Sequence, residues 1–101
     1  MLNSKQRAEL KSIANTYQPL FQVGKGGISD ALIKQVDDAL TARELIKISA
    51  LETIPEPVKE IAQKIAEETN SDVVSVIGRK IIFYRRNPKD PKIILKNKKN
   101  R

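Results

Sequence analysis

The chain has 101 residues, no cysteine and no histidine, with 19 Lys and Arg against 12 Asp and Glu and a formal net charge of +7. That length suits one domain with a modest core, and the missing thiols and imidazoles exclude disulfides, thiolate metal sites and the usual neutral-pH proton shuttle. The composition favours a cytoplasmic binding protein over a catalyst, so no catalytic residue, metal ligand or cofactor is expected.

The N-terminal run Met1-Leu2-Asn3-Ser4-Lys5-Gln6-Arg7 is polar and reads as neither an export nor an anchoring signal. No stretch approaches the roughly 20 apolar residues of a membrane span. The positive charge is unevenly placed, with +3 in residues 1–29, −5 in residues 30–72 and +9 in residues 73–101. Residues 85–101 alone hold eight cations and one acid, so the remainder of the chain is formally neutral. Basicity is thus a property of the tail more than of the body.

Leu10, Ile13, Ala14 and Tyr17 recur at i, i+3, i+4 and i+7, which predicts a first amphipathic helix capped by Ser4 and ended before Pro19. Leu20-Phe21-Gln22-Val23, bounded by Pro19 and Gly24, reads as a short strand running into the glycine loop. Beyond the loop, Ile28, Leu32, Val36, Ala39 and Leu40 hold helical spacing, with Ser29 as the N-cap and Asp30 in the first turn. Glu44-Leu45-Ile46-Lys47-Ile48-Ser49 is a second strand, joined to the first through a helix and therefore parallel to it.

Pro57 opens a third helix with Val58, Ile61, Ala62, Ile65, Ala66 and Thr69 on one stripe. Val73-Val74-Ser75-Val76-Ile77 and Ile81-Ile82-Phe83-Tyr84 flank Gly78-Arg79-Lys80 as a hairpin with a basic turn. Phe83 and Tyr84 alternate on their strand, leaving one of them available for base stacking, although core packing is the better assignment for each. The fold class is α/β, a small mixed four-stranded sheet with three helices in the order α-β-α-β-α-β-β. Residues 1–86 form the domain and residues 87–101 a basic, flexible tail, whose apolar patch Ile93-Ile94-Leu95 is able to dock back.

Gly24-Lys25-Gly26-Gly27 carries the chemistry. Glycine lets a ligand approach the backbone, and the helix starting near Ser29 turns unpaired N–H groups and its positive dipole end toward the same space. The P-loop pattern fails, because Lys25 lies between glycines with no hydroxyl residue after it. The dinucleotide fingerprint is only approached, with Ser29 at the third small position and Glu44 about the right distance onward, and the chain has no room for a second βαβ half. What remains is G-x-x-G at a strand-to-helix junction, like the loop with which KH domains clamp a nucleic-acid backbone. A plain tight turn stands beside that reading on the loop alone. The adjacent acids Asp37 with Asp38 and Glu67 with Glu68 diverge on their helices and read as surface charge.

Leu10-Lys11, Ala14, Pro19, Val23-Gly24-Lys25-Gly26-Gly27-Ile28-Ser29, Ala39-Leu40, Glu44-Leu45-Ile46-Lys47, Val76-Ile77-Gly78 and Tyr84-Arg85 together resemble the CRM domain, the chloroplast RNA splicing and ribosome maturation domain, in its bacterial stand-alone YhbY form. The likeness runs from about Lys5 to Arg85. Ile28-Ser29 replaces a frequent Leu-Thr, and Tyr84-Arg85-Arg86-Asn87-Pro88 replaces a usual Tyr-Arg-Pro. The resemblance implies an RNA-binding module with its G-x-x-G loop at the RNA, a fold similar to the C-terminal domain of translation initiation factor three, and association with immature large ribosomal subunits.

The expected function is therefore that of a monomeric, non-enzymatic RNA-binding protein, with no membrane or small-molecule partner, acting on ribosomal RNA during large-subunit assembly. Gly24, Gly26 and Gly27 supply backbone and clearance and Lys25 supplies charge. Lys5, Arg7, Lys11, Arg79, Lys80, Arg85 and Arg86 are the further phosphate contacts. The alternative is a protein-interaction adaptor whose acidic residues 30–72 meet a basic partner such as a ribosomal protein. An enzyme handling a phosphorylated small molecule ranks third, without histidine or cysteine to serve it.

Overall fold

A computed structural model describes residues 2–24, 26–89 and 93. Along the chain run α1 (Ser4–Ala14), β1 (Gln22–Val23), α2 (Asp30–Arg43), β2 (Leu45–Ala50), α3 (Val58–Thr69), β3 (Asp72–Ile77) and β4 (Lys80–Tyr84), the order read from the sequence. The sheet is ordered β1-β2-β4-β3. β1 runs parallel to β2 through the α2 crossover, as the helical connection requires, and β4 is antiparallel to both β2 and β3.

Several boundaries shift for local reasons. The cap of α1 is Asn3, not Ser4: the Asn3 side chain accepts the Gln6 N–H at 2.8 Å while the Gln6 carboxamide accepts the Asn3 N–H at 3.0 Å. A cap at Ser4 would place Arg7 at the reciprocal position, and a guanidinium has no acceptor to offer. The first strand is regular only over Gln22–Val23, but its pairing starts earlier, with the Leu20 N–H donating to the Lys47 carbonyl at 2.8 Å. Pro19, lacking an N–H, stops it there. The hairpin turn is Gly78-Arg79 alone, because Lys80 already pairs with Ile77, and Gly78 at φ +59° takes the first central position, where a two-residue turn of this kind demands positive φ.

Helices cover both faces of the sheet, so alternate strand residues feed two cores. Ile46, Ile48, Ile81 and Phe83 pack with Val36 and Leu40 of α2 and Ile61 and Ile65 of α3. On the opposite face Leu45, Ile82, Tyr84 and Val74 pack with Leu10 and Ala14 of α1. Phe83 and Tyr84 are both buried, one on each face, so neither is available to stack on a base. Each such side chain contributes about 1.5–3 kcal/mol by leaving water. A bulge between Val73 and Ser75 shifts the register of the edge strand β3.

Candidate nucleic-acid interface

The glycine loop sits where the sequence puts it, between β1 and α2. A hydrogen bond from the Gly27 N–H to the Gly24 carbonyl, 2.9 Å, closes the turn, and Gly27 has φ +72°. Ser29 caps α2 by accepting the Leu32 N–H at 3.1 Å. Gly27 needs to be glycine for its backbone alone. Gly24 and Gly26 do not: neither has φ in the left-handed region, and a Cβ built on either meets nothing within 4 Å among the described residues. Lys25 lies outside the described residues.

The sheet brings the basic hairpin turn to the same end as this loop. Val23 pairs with Ala50, and the Ala50 N–H donates to the Arg79 carbonyl at 2.8 Å. Two strand spacings, about 10 Å, thus separate the residue before Gly24 from Arg79. Arg86 is at the opposite end, beyond the Leu45–Tyr84 pair. Lys5, Arg7 and Lys11 are on α1, which lies on the sheet face away from α2 and α3. The cations named from sequence are therefore distributed around the molecule, with Lys80 and Arg79 gathered beside the loop.

They also differ in availability. Lys5, Lys11, Lys80 and Arg86 are exposed. The three other arginines are held by the fold. Arg7 donates to the Val73 carbonyl on the edge strand. Arg79 reaches across the hairpin end to the Ala50 and Leu51 carbonyls, at 3.1 and 2.6 Å. Arg85 donates to the Asp37 carboxylate at 2.6 Å, the Thr69 carbonyl at 2.7 Å, the Asp37 carbonyl at 3.0 Å and the Thr41 hydroxyl at 2.8 Å. The acidic middle is partly committed too, Asp37 to Arg85 and Asp38 to Lys34.

Glu44 is fully buried, with φ +67°, immediately after α2. Its carboxylate accepts the Asn87 N–H at 2.6 Å and the Ile93 N–H at 2.7 Å, and its carbonyl accepts the Arg85 N–H at 2.9 Å. The chain past β4 is tied there, and Ile93 packs against the core beneath α1. The rest of the expected tail, from Asp90 onward apart from Ile93, lies outside the described residues. Burial holds the Tyr84 phenol above its ordinary range, with Glu44 adding to the rise.

One feature escaped the sequence reading. A groove of about 300 Å³ opens on the α1 face of the sheet, lined by Tyr17, Gln18, Leu20, Arg43, Leu45 and Lys47. The only signal for it was a lysine inside the apolar run of β2. Among the described residues no helix is long and apolar enough to cross a membrane.

Comparison with known proteins matches residues 2–85 to the family model of the CRS1/YhbY (CRM) domain. The chain is 41% identical over 95 residues to the probable RNA-binding protein YqeI of Bacillus subtilis, covering 94% of this chain and 99% of that one. It is 30% identical over 84 residues to an RNA-binding protein of Haemophilus influenzae, covering 83% and 85%. The solution structure of a hypothetical protein from Staphylococcus aureus superposes with a TM-score of 0.81 at 44% identity, covering 94% of this chain and 99% of that one. A two-faced α/β sheet, a glycine loop between β1 and α2, and these matches across most of the length agree: the chain belongs to the CRS1/YhbY (CRM) domain family.

Proposed function

We propose that this chain is a non-enzymatic RNA-binding protein whose Gly24–Gly27 loop engages the phosphate backbone. The observation that carries the reading is the bareness of Gly24 and Gly26, whose missing side chains are explained neither by backbone angle nor by a close neighbour among the described residues. Clearance for a ligand explains them. Next to the loop stand Lys25 in sequence and exposed Lys80 in space, and the start of α2 adds the orphan N–H groups of a helix. The relatives named for RNA binding support the same ligand. The finer reading is binding to ribosomal RNA in precursors of the large subunit, in the cytoplasm and as a monomer. Its support is the family pattern, together with exposed cations on several sides of the molecule that suit a large folded RNA.

Titration of the full chain with single-stranded RNA across salt tests this. Log K should fall with log salt by about 0.7 for each phosphate neutralised, and Lys25→Ala should make the slope shallower by somewhat less than one contact. Gly26→Asp should abolish binding while the protein stays folded, since its Cβ meets nothing within 4 Å among the described residues. Affinity that ignores salt, or survives Gly26→Asp unchanged, removes the loop from RNA binding. Sedimentation with ribosomal precursors, with and without nuclease, separates RNA from a protein partner: the adaptor reading requires a complex that nuclease leaves intact.

A further inference from the structure

Lys47 is 8% exposed, yet its side chain has no hydrogen bond or ion pair among the described residues. Burying an unpartnered ammonium is costly. Because no fully buried side-chain nitrogen or oxygen in the described residues lacks a partner, the ammonium must reach water, and the groove lined by Lys47 is where it does so. The aliphatic stem is packed on the sheet and the charge is presented at the groove. Arg43, the last residue of α2, is exposed beside it, also without a partner among the described residues. Among the described residues, two unpaired cations and no carboxylate line this space.

The remaining lining is an aromatic ring, a primary amide and two leucines, of which Leu20 is 39% exposed. Cations alone would suit any anion. Cations beside a ring and an amide suit a nucleotide, whose phosphate takes the charges and whose base takes the apolar surface and the hydrogen-bonding edge. We infer that this groove holds one nucleotide of a bound RNA strand, with Lys47 and Arg43 on its phosphate and its base against Tyr17 and Leu20. The inference rests on the RNA reading of the glycine loop. Lys47 stands three residues before Ala50, the partner of Val23 at the mouth of that loop, a distance of about 10 Å along β2. One strand can therefore occupy both sites, passing over the end of the sheet onto its α1 face.

The experiment is titration of the full chain and its variants with a short unstructured oligouridylate at several salt concentrations. Lys47→Gln and Arg43→Gln should each weaken binding about tenfold and make the salt slope shallower by about 0.7. Tyr17→Leu should weaken it about fivefold or more with the slope unchanged, since stacking releases no counterion. Uridine monophosphate should shift the amide resonances of Tyr17 and Lys47 in Gly26→Asp as it does in the parent protein. Should Lys47→Gln fail to fold, Arg43→Gln at the surface carries the same test.

Unchanged affinity and slope in the groove variants, with binding lost in Gly26→Asp, overturns this inference and leaves the loop reading standing. Intact oligouridylate binding in Gly26→Asp that is lost in Lys47→Gln supports the groove and overturns the loop. A parent protein that does not bind oligouridylate overturns both. Groove variants that lose affinity for polyglutamate but not for RNA make the groove an acidic-peptide site and also overturn it.

Discussion

Glu44 shows how one side chain justifies an unfavourable backbone. A non-glycine residue at φ +67° carries strain on the order of 1–3 kcal/mol, and glycine would remove it. Glycine would also remove the carboxylate that receives the Asn87 and Ile93 N–H groups. Glu44→Gln keeps the volume but turns an amide NH₂ toward a backbone donor, so we expect a loss of about 1–3 kcal/mol. Urea unfolding should show it as a lower midpoint at unchanged slope. From the sequence Glu44 reads as the start of the second strand and as an approximate match to the acid of the dinucleotide fingerprint, and not as a buried acceptor, because the two donors that use it come from more than 40 positions further along the chain. Ser29, by contrast, was legible as a cap, since its partner Leu32 is three residues away and such bonds are local.

At the scale of elements, the same distinction separates Arg85 from its neighbours. Read as a phosphate contact beside Arg86, it joins the last residue of α3, through the Thr69 carbonyl, to Asp37 and Thr41 on α2. A planar guanidinium can serve these acceptors together, which an ammonium cannot. Arg85→Ala should therefore cost about 1.5–3 kcal/mol, and Arg85→Lys should recover only a part, both read by thermal unfolding. Much of the element pattern was visible beforehand: three helical stripes, the β1-α2-β2 crossover and the hairpin follow from periodicity and turn chemistry. The cap at Asn3 was missed because the deciding feature was the reciprocal partner Gln6 rather than the cap residue itself. The bulge in β3 had no signal, since an apolar β-branched run fits either register.

For the whole molecule, the placement of β4 between β2 and β3 determines where charge can act. It brings the hairpin turn to the glycine loop and sends Arg86 to the far end. Lys80 and Arg79, adjacent in sequence, should then behave differently. Lys80→Gln should lower the salt slope of RNA binding by about 0.7 with stability unchanged, whereas Arg79→Gln should lower stability through the lost bonds to the Ala50 and Leu51 carbonyls. Salt titration and thermal unfolding of the two variants check this together. The sequence by itself determined the α-β-α-β-α-β-β order and a G-x-x-G loop between strand and helix, because these depend on spacing and on residues a few positions apart. Tertiary structure alone decided which cations are exposed, that Glu44 is a buried acceptor, and that Lys47 lines a groove. Those outcomes depend on contacts between segments distant in the chain, and side-chain burial has no local code.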